Sequence, residues 1–189
     1  GAVLLGSSAR LHGNTFIGNT AQGSRTGGGA VYVSAQAGIS GGVWFSNCTF
    51  TDNTALAAGG AVFLGSSGQL DGNAFTGNTA QGPGDGGGAV FVNAGIIGDR
   101  PSLSNCAFTN NTAINAGGAV LLGSSAQLDG NTFVGNSGRI TGGGAVFVNA
   151  GISGAGPSLS NSTYTNNTAL DAGGAVFLGS SAQLDGNIF

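Results

Sequence analysis

The chain has 189 residues and a net charge of −3, from seven Asp against four Arg, with no Lys, no Glu and no Met. So weak and acidic a balance excludes the basic stripe that nucleic acid requires and the polybasic segment that an anionic membrane surface requires. No apolar run approaches the ~20 residues of a membrane helix, so no membrane insertion is expected in this segment.

Glycine accounts for 40 residues, a composition that often signals disorder, but a strict internal period argues for order here. The chain opens on Gly-Ala-Val, and the alanine of that motif falls at 2, 30, 61, 89, 119, 145 and 175. Longer and shorter steps alternate, so the repeating unit is a pair. One member reads GGAVFLGSSAQLDGNxFTGNTA and the other GGGAVFVNAGISGxGPSLSNCTFTNNTA. The chain begins in mid-repeat, without a recognisable signal peptide, and reads as a window of a longer array.

Taken in chain order, each unit offers three short strands bounded by glycine clusters. The first follows Gly-Ala-Val, the second ends near a Leu or Phe, and the third carries an aromatic. Helix is disfavoured, because Gly, Asn, Thr and Ser saturate the chain and no 3.6-residue apolar period persists. A step of 28–30 residues holds three strands and three corners, which is one coil of a parallel β-helix. Crossovers between parallel strands are overwhelmingly right-handed. The expected fold is therefore all-β: a right-handed parallel β-helix (β-solenoid) of roughly six and a half coils, forming one domain over residues 1–189.

In such a stack, a column of like residues becomes a physical ladder. Val3, Val31, Val62, Val90, Val120, Val146 and Val176 form one column, and Leu5, Val33, Leu64, Val92, Leu122, Val148 and Leu178 the next on the same face. Both are assigned inward. Leu11, Phe45, Leu70, Leu103, Leu128, Leu159 and Leu184 serve the second strand, and Phe16, Phe50, Phe75, Phe108, Phe133, Tyr164 and Phe189 the third. Asn19, Asn53, Asn78, Asn111, Asn136 and Asn167 are read as a structural ladder of corner amides bonded along the axis. The glycines before each alanine are read as allowing positive φ. They are not a phosphate loop, which would need a following Lys and helix.

The residue between the two inward columns then points out: Leu4, Tyr32, Phe63, Phe91, Leu121, Phe147 and Phe177. This apolar stripe must be covered, either by the variable loops QGSRTGG, QGPGDGG and GRITGG or by another molecule. Because it repeats with the coil, lateral packing against a second rod is expected through these residues.

The pairing of FxxN with GGA[ILV] resembles the polymorphic outer membrane protein repeats of chlamydial autotransporters over almost the full length. Six FxxN-type sites are complete, one with Tyr164 for Phe, and seven Gly-Ala-Val sites are present. The resemblance implies a right-handed β-helix serving as an extracellular adhesive or structural passenger. The coils here are more uniform and richer in glycine than that family's, and no translocator barrel lies within these residues.

Candidate chemistry is sparse. Asp71, Asp129 and Asp185 share a column with His12, but they obey the repeat, whereas a catalytic site should break it. They lie in the turn motif LDGN, and two coils separate them by ~9.6 Å, just outside the carboxylate spacing of an inverting glycosidase. GPGDGGG (82–88) has the composition of a calcium loop but occurs once. No catalytic, metal or cofactor residue is assigned. Asn-x-Ser/Thr sequons occur at Asn47, Asn110, Asn161 and Asn166. Cys48 and Cys106 should lie two coils apart, too far for a disulfide, and remain free and partly buried. A Thr column (Thr20, Thr54, Thr79, Thr112 and Thr168) raises an ice-binding surface but is interrupted by Ser137.

These readings converge on a non-catalytic extracellular module of a fibre, filament or cell-surface stalk. The alternatives are an adhesin with a cell-surface receptor and, third, a polysaccharide-cleaving enzyme. Self-association, lateral or end-to-end, is the expected partnership.

Overall fold

A computed structural model of the chain describes residues 1–23, 27–35, 42–82, 84, 86–96, 99–140, 142–152 and 154–189. Every strand pairs in parallel with its counterpart in each adjoining coil, the first and last strands of each sheet on one side only, which is the defining pattern of a parallel β-helix. The first sheet has seven strands: Val3–Leu5, Val31–Val33, Val62–Leu64, Val90–Val92, Val120–Leu122, Val146–Val148 and Val176–Leu178. The second also has seven: Ala9–His12, Val43–Ser46, Gly68–Asp71, Ser102–Ser104, Gln127–Asp129, Ser158–Ser160 and Gln183–Asp185. The third has six, from Thr15–Ile17 through Thr49–Thr51, Ala74–Thr76, Ala107–Thr109 and Thr132–Val134 to Thr163–Thr165.

A fourth sheet joins these three. Its six strands are only two residues long, beginning with Thr20–Ala21 and Thr54–Ala55. Each outward Thr is followed by an Ala that turns into the core; Ala55, Ala80 and Ala113 are buried.

The core follows from period-two alternation. Val and Leu from the first sheet, Phe45, Leu70, Leu103, Leu128 and Leu159 from the second, and the aromatics of the third form one buried cluster. Phe16, Phe50, Phe75, Phe108, Phe133, Tyr164 and Phe189 stack ring on ring, with centroids 4.8–4.9 Å apart and planes within 2–9°. The separation is the strand spacing itself. Near-parallel rings mean that successive coils barely rotate, and such flat sheets are typically sustained by side-chain ladders.

Two kinds of glycine precede Ala61 and Ala119, whereas none of the glycines before Ala30 and Ala89 has the positive φ expected of them. Gly59 and Gly117 have positive φ, 72° and 66°, as the sequence reading proposed. The glycine that follows each has another reason to lack a side chain. A Cβ on Gly60 would collide with the carbonyl oxygen of Gly88, and one on Gly88 with that of Gly118. Close axial approach of one coil to the next fixes glycine there.

Candidate functional site

The corner between the third and fourth sheets carries the asparagine ladder. The backbone N–H and Nδ2 of Asn53 both donate to Oδ1 of Asn78, at 3.0 and 2.9 Å. The second Nδ2 hydrogen reaches back to the carbonyl of Phe16 at 3.0 Å. Asn19, Asn78, Asn111 and Asn136 each donate in the same way to the next amide, ending on Asn167. An amide offers two donors and two lone pairs. Asn53, Asn78, Asn111 and Asn136 use all four, and Asn53, Asn78 and Asn111 are completely buried.

A second ladder occupies the corner between the second and third sheets, and sequence reasoning missed it. Cys48 N–H donates to Oδ1 of Asn73 at 2.9 Å, Cys106 N–H to Asn131 at 2.9 Å, and Ser162 N–H to Asn187 at 3.0 Å. Asn73, Asn131 and Asn187 return Nδ2 bonds to the carbonyls of Phe45, Leu103 and Leu159. The signal was the shared distance of two residues before the aromatic. The column of Cys48, Asn73, Cys106 and Ser162 is legible in the sequence; that its Asn amides bond the backbone of neighbouring coils is not. Both cysteines are free and buried, with Asn73 in the coil between them. Burial pushes the Cys106 thiol up to about 11.

The residue before each corner is left-handed, which explains the two-coil period. In one kind of coil it is Asn or Asp: Asn47, Asp52, Asn105, Asn110, Asn161 and Asn166, with φ of 50–53°. In the other it is glycine: Gly72, Gly77, Gly130 and Gly135, with φ of 63–65°. These residue types tolerate that conformation. Alternation is favoured because the Asn or Asp side chain lies over the next glycine. A Cβ on Gly72 would be 2.8 Å from Oδ1 of Asn47, and one on Gly130 would be 2.9 Å from Oδ1 of Asn105. The sequon residues Asn47, Asn110, Asn161 and Asn166 are therefore exposed turn residues with a packing role. Asn161 also donates to Asp129 at 2.8 Å.

On the outer face of the second sheet, Asp alternates with Ser along one column: Ser46, Asp71, Ser104, Asp129, Ser160 and Asp185 are successive register partners. Ser104 and Asn105 donate to Asp71, at 2.8 and 3.1 Å, and Ser160 and Asn161 to Asp129, at 2.7 and 2.8 Å. Those two bonds hold the Asp129 carboxyl below its usual range. The carboxylates cap the turns of the following coil and do not face one another. His12 Nδ1 sits 2.9 Å from Ser46 Oγ. Among the described residues no three His, Cys, Asp or Glu gather to hold a metal. Pro83 and Asp85 of the glycine-Asp loop lie outside the described residues.

One region of this face departs from the repeat. Arg10 and His12 stand where other coils have Gln and Asp, and Trp44 stands where Ser102 and Ser158 stand. With Gln69, Asp71 and Ser102 they line a depression of about 440 Å³.

The outer face of the first sheet corrects an expectation. Of the seven residues assigned to a lateral interface, Leu4 is 71% exposed, and Tyr32, Phe91 and Phe177 are half-buried. Phe63, Leu121 and Phe147 are buried at 3%, 0% and 8% exposure. At two described corners, the residues before Gly-Ala-Val pack on this column. Ala116 packs on Leu121 and Phe147, and a Cβ on Gly142 would lie 3.4 Å from Phe177 Cδ2. The chain thus covers much of its own stripe with small residues, and Phe63, Leu121 and Phe147 are not available to a second rod.

This stacked, four-sheeted geometry defines a β-solenoid. Residues 1–153 match the family described as the right handed beta helix region, and the chain belongs to it. No curated protein and no solved structure matches the chain. No helix among the described residues is long and apolar enough to cross a membrane.

Proposed function

We propose that this chain is a non-catalytic structural module of an extracellular fibre, filament or cell-surface stalk. The observation that carries this reading is the pair of corner ladders. They run through successive coils, one by paired amides and the other by amides bonded to the backbone of the neighbouring coil, so cohesion is spread along the axis rather than invested in one site. The FxxN and Gly-Gly-Ala-Val pattern supports kinship with polymorphic outer membrane protein-type repeats, and with it a place at the cell surface. The capped, periodic carboxylates favour a turn role over polysaccharide cleavage. Electron microscopy of the native assembly, with antibody labelling of intact source cells, tests the proposal. Labelled filaments or stalks are the expected result; an intracellular, unassembled protein would refute it. The adhesin reading is favoured by one observation, the region of the second sheet where the repeat is broken.

A further inference from the structure

The outer face of the second sheet obeys a two-coil rule. One kind of coil presents Gln and Asp, as at Gln127 and Asp129, and the other two serines, as at Ser158 and Ser160. All three departures from that rule are neighbours. Arg10 and His12 belong to one strand, and Trp44 pairs in register with Arg10 on one side and Gln69 on the other.

Trp44 is the single tryptophan of the chain, placed outward and only partly buried. An indole there adds nothing to the core, since its neighbours Val43 and Phe45 point inward and are buried. Large half-exposed aromatics rimmed by polar groups are characteristic of recognition sites. The surrounding groups are already positioned. The Arg10 guanidinium lies 5.1 Å over the indole, His12 is bonded to Ser46, and Asp71 is fixed by Ser104 and Asn105.

The chemistry of the lining selects the ligand. Arg10 is balanced by Asp71, His12 is bonded to Ser46, and Ser46, Gln69, Ser102 and Ser104 add hydroxyl and amide donors and acceptors around the half-exposed indole. A pyranose offers the complement: a C–H face for the indole, and hydroxyls for a guanidinium, an amide and a carboxylate. The groups recur at the strand spacing of ~4.8 Å along the axis, a step that suits successive sugars of an extended chain. We propose that this depression binds a neutral, linear polysaccharide laid along the helix axis. Binding without cleavage is proposed, since the next carboxylate in the column, Asp129, lies two coils beyond Asp71. This inference is independent of whether the rod serves a fibre.

The lone tryptophan makes the test direct. The intact chain is titrated with cello-, manno- and chito-hexasaccharides, with oligogalacturonate as the charged comparison, while Trp44 fluorescence is recorded. A saturable change with at least one neutral sugar is expected. Trp44→Ser, which installs the residue of the equivalent coils, should weaken binding at least about tenfold by calorimetry, with the unfolding midpoint retained. Should that variant misfold, Arg10→Gln restores the residue of its own coil type and should weaken the fluorescence-detected binding about tenfold. No saturable response to any neutral sugar, binding of oligogalacturonate alone, or full binding by the variants would overturn the proposal.

Discussion

Asn111 lies one coil beyond Asn78 and accepts two hydrogen bonds from it on a single oxygen, at 3.0 Å from the backbone N–H and 2.9 Å from Nδ2. Asn78 in turn accepts two from Asn53 and donates to the carbonyl of Phe50. Asn78→Ala therefore strands both Asn53 donors in a dry corner and removes the Nδ2 bonds to Asn111 and to the Phe50 carbonyl, while the backbone N–H of residue 78 still reaches Asn111. Each buried polar group left unpaired costs about 1–3 kcal/mol, so a loss of about 3 kcal/mol or more is expected in denaturant unfolding. A loss below about 1 kcal/mol would mean that the ladder is not continuous.

Tyr164 is the inverse case. Its hydroxyl is buried near Ser162 without forming a hydrogen bond of good geometry, and burial pushes the phenol upward against the smaller opposing effect of Ser162. Its ring stacks between Phe133 and Phe189 like any phenylalanine of the column. Tyr164→Phe removes the orphan group without creating a void and should stabilise by about 1 kcal/mol, read as a higher denaturation midpoint. Destabilisation would show that the hydroxyl has a partner.

Cys48 and Cys106 should be recovered as free thiols, since two coils place them ~9.6 Å apart. With its value raised to about 11 by burial, Cys106 stays a neutral thiol at pH 8. Iodoacetamide should modify it in the folded chain far more slowly than in guanidinium. Its linkage to stability has one sign: the contribution is full below the unfolded thiol value of ~8.5 and is lost as pH rises through about 11. A Cys48–Cys106 peptide in a non-reducing map would contradict the register.

Asp129 has the opposite sign. Its folded value is depressed by Ser160 and Asn161, so its contribution is full above the usual carboxylate value of ~3.9 and is lost as pH falls through the lower folded value. The group is exposed, so the effect on stability is small. Carboxyl carbon chemical shifts should show its titration moving up in Ser160→Ala, while Asp129→Asn leaves the unfolding midpoint at pH 7 nearly unchanged. An unmoved titration would remove Ser160 as the cause.

Much of this architecture is legible in the sequence because stacking in register turns a chemical requirement into a column. The inward Val, the stacked Phe and the corner Asn repeat because each touches its own kind one coil away. Other features escape for physical reasons. The fourth sheet has two-residue strands, too short to show alternation. In the second ladder, Cys48, Asn73 and Ser162 present different side chains to one backbone geometry. The cover over Leu121 and Phe147 comes from a corner alanine, Ala116, whose packing has no sequence period. Trp44 departs from the period once, and a single departure reads as noise until the register places Arg10 and Gln69 beside it.

The central claim is that two coils form a self-similar unit, each seated on the next through both corner ladders. Duplicating residues 61–118 in frame tests it most directly, since the insertion adds one such unit between Gly60 and a second Ala61. Small-angle scattering and guanidinium unfolding of the extended chain then read length and stability together. The account predicts a rod ~10 Å longer with an unchanged cross-section and a midpoint no lower than the parent's. A particle that thickens rather than lengthens, or a chain that unfolds at a lower midpoint, would contradict it.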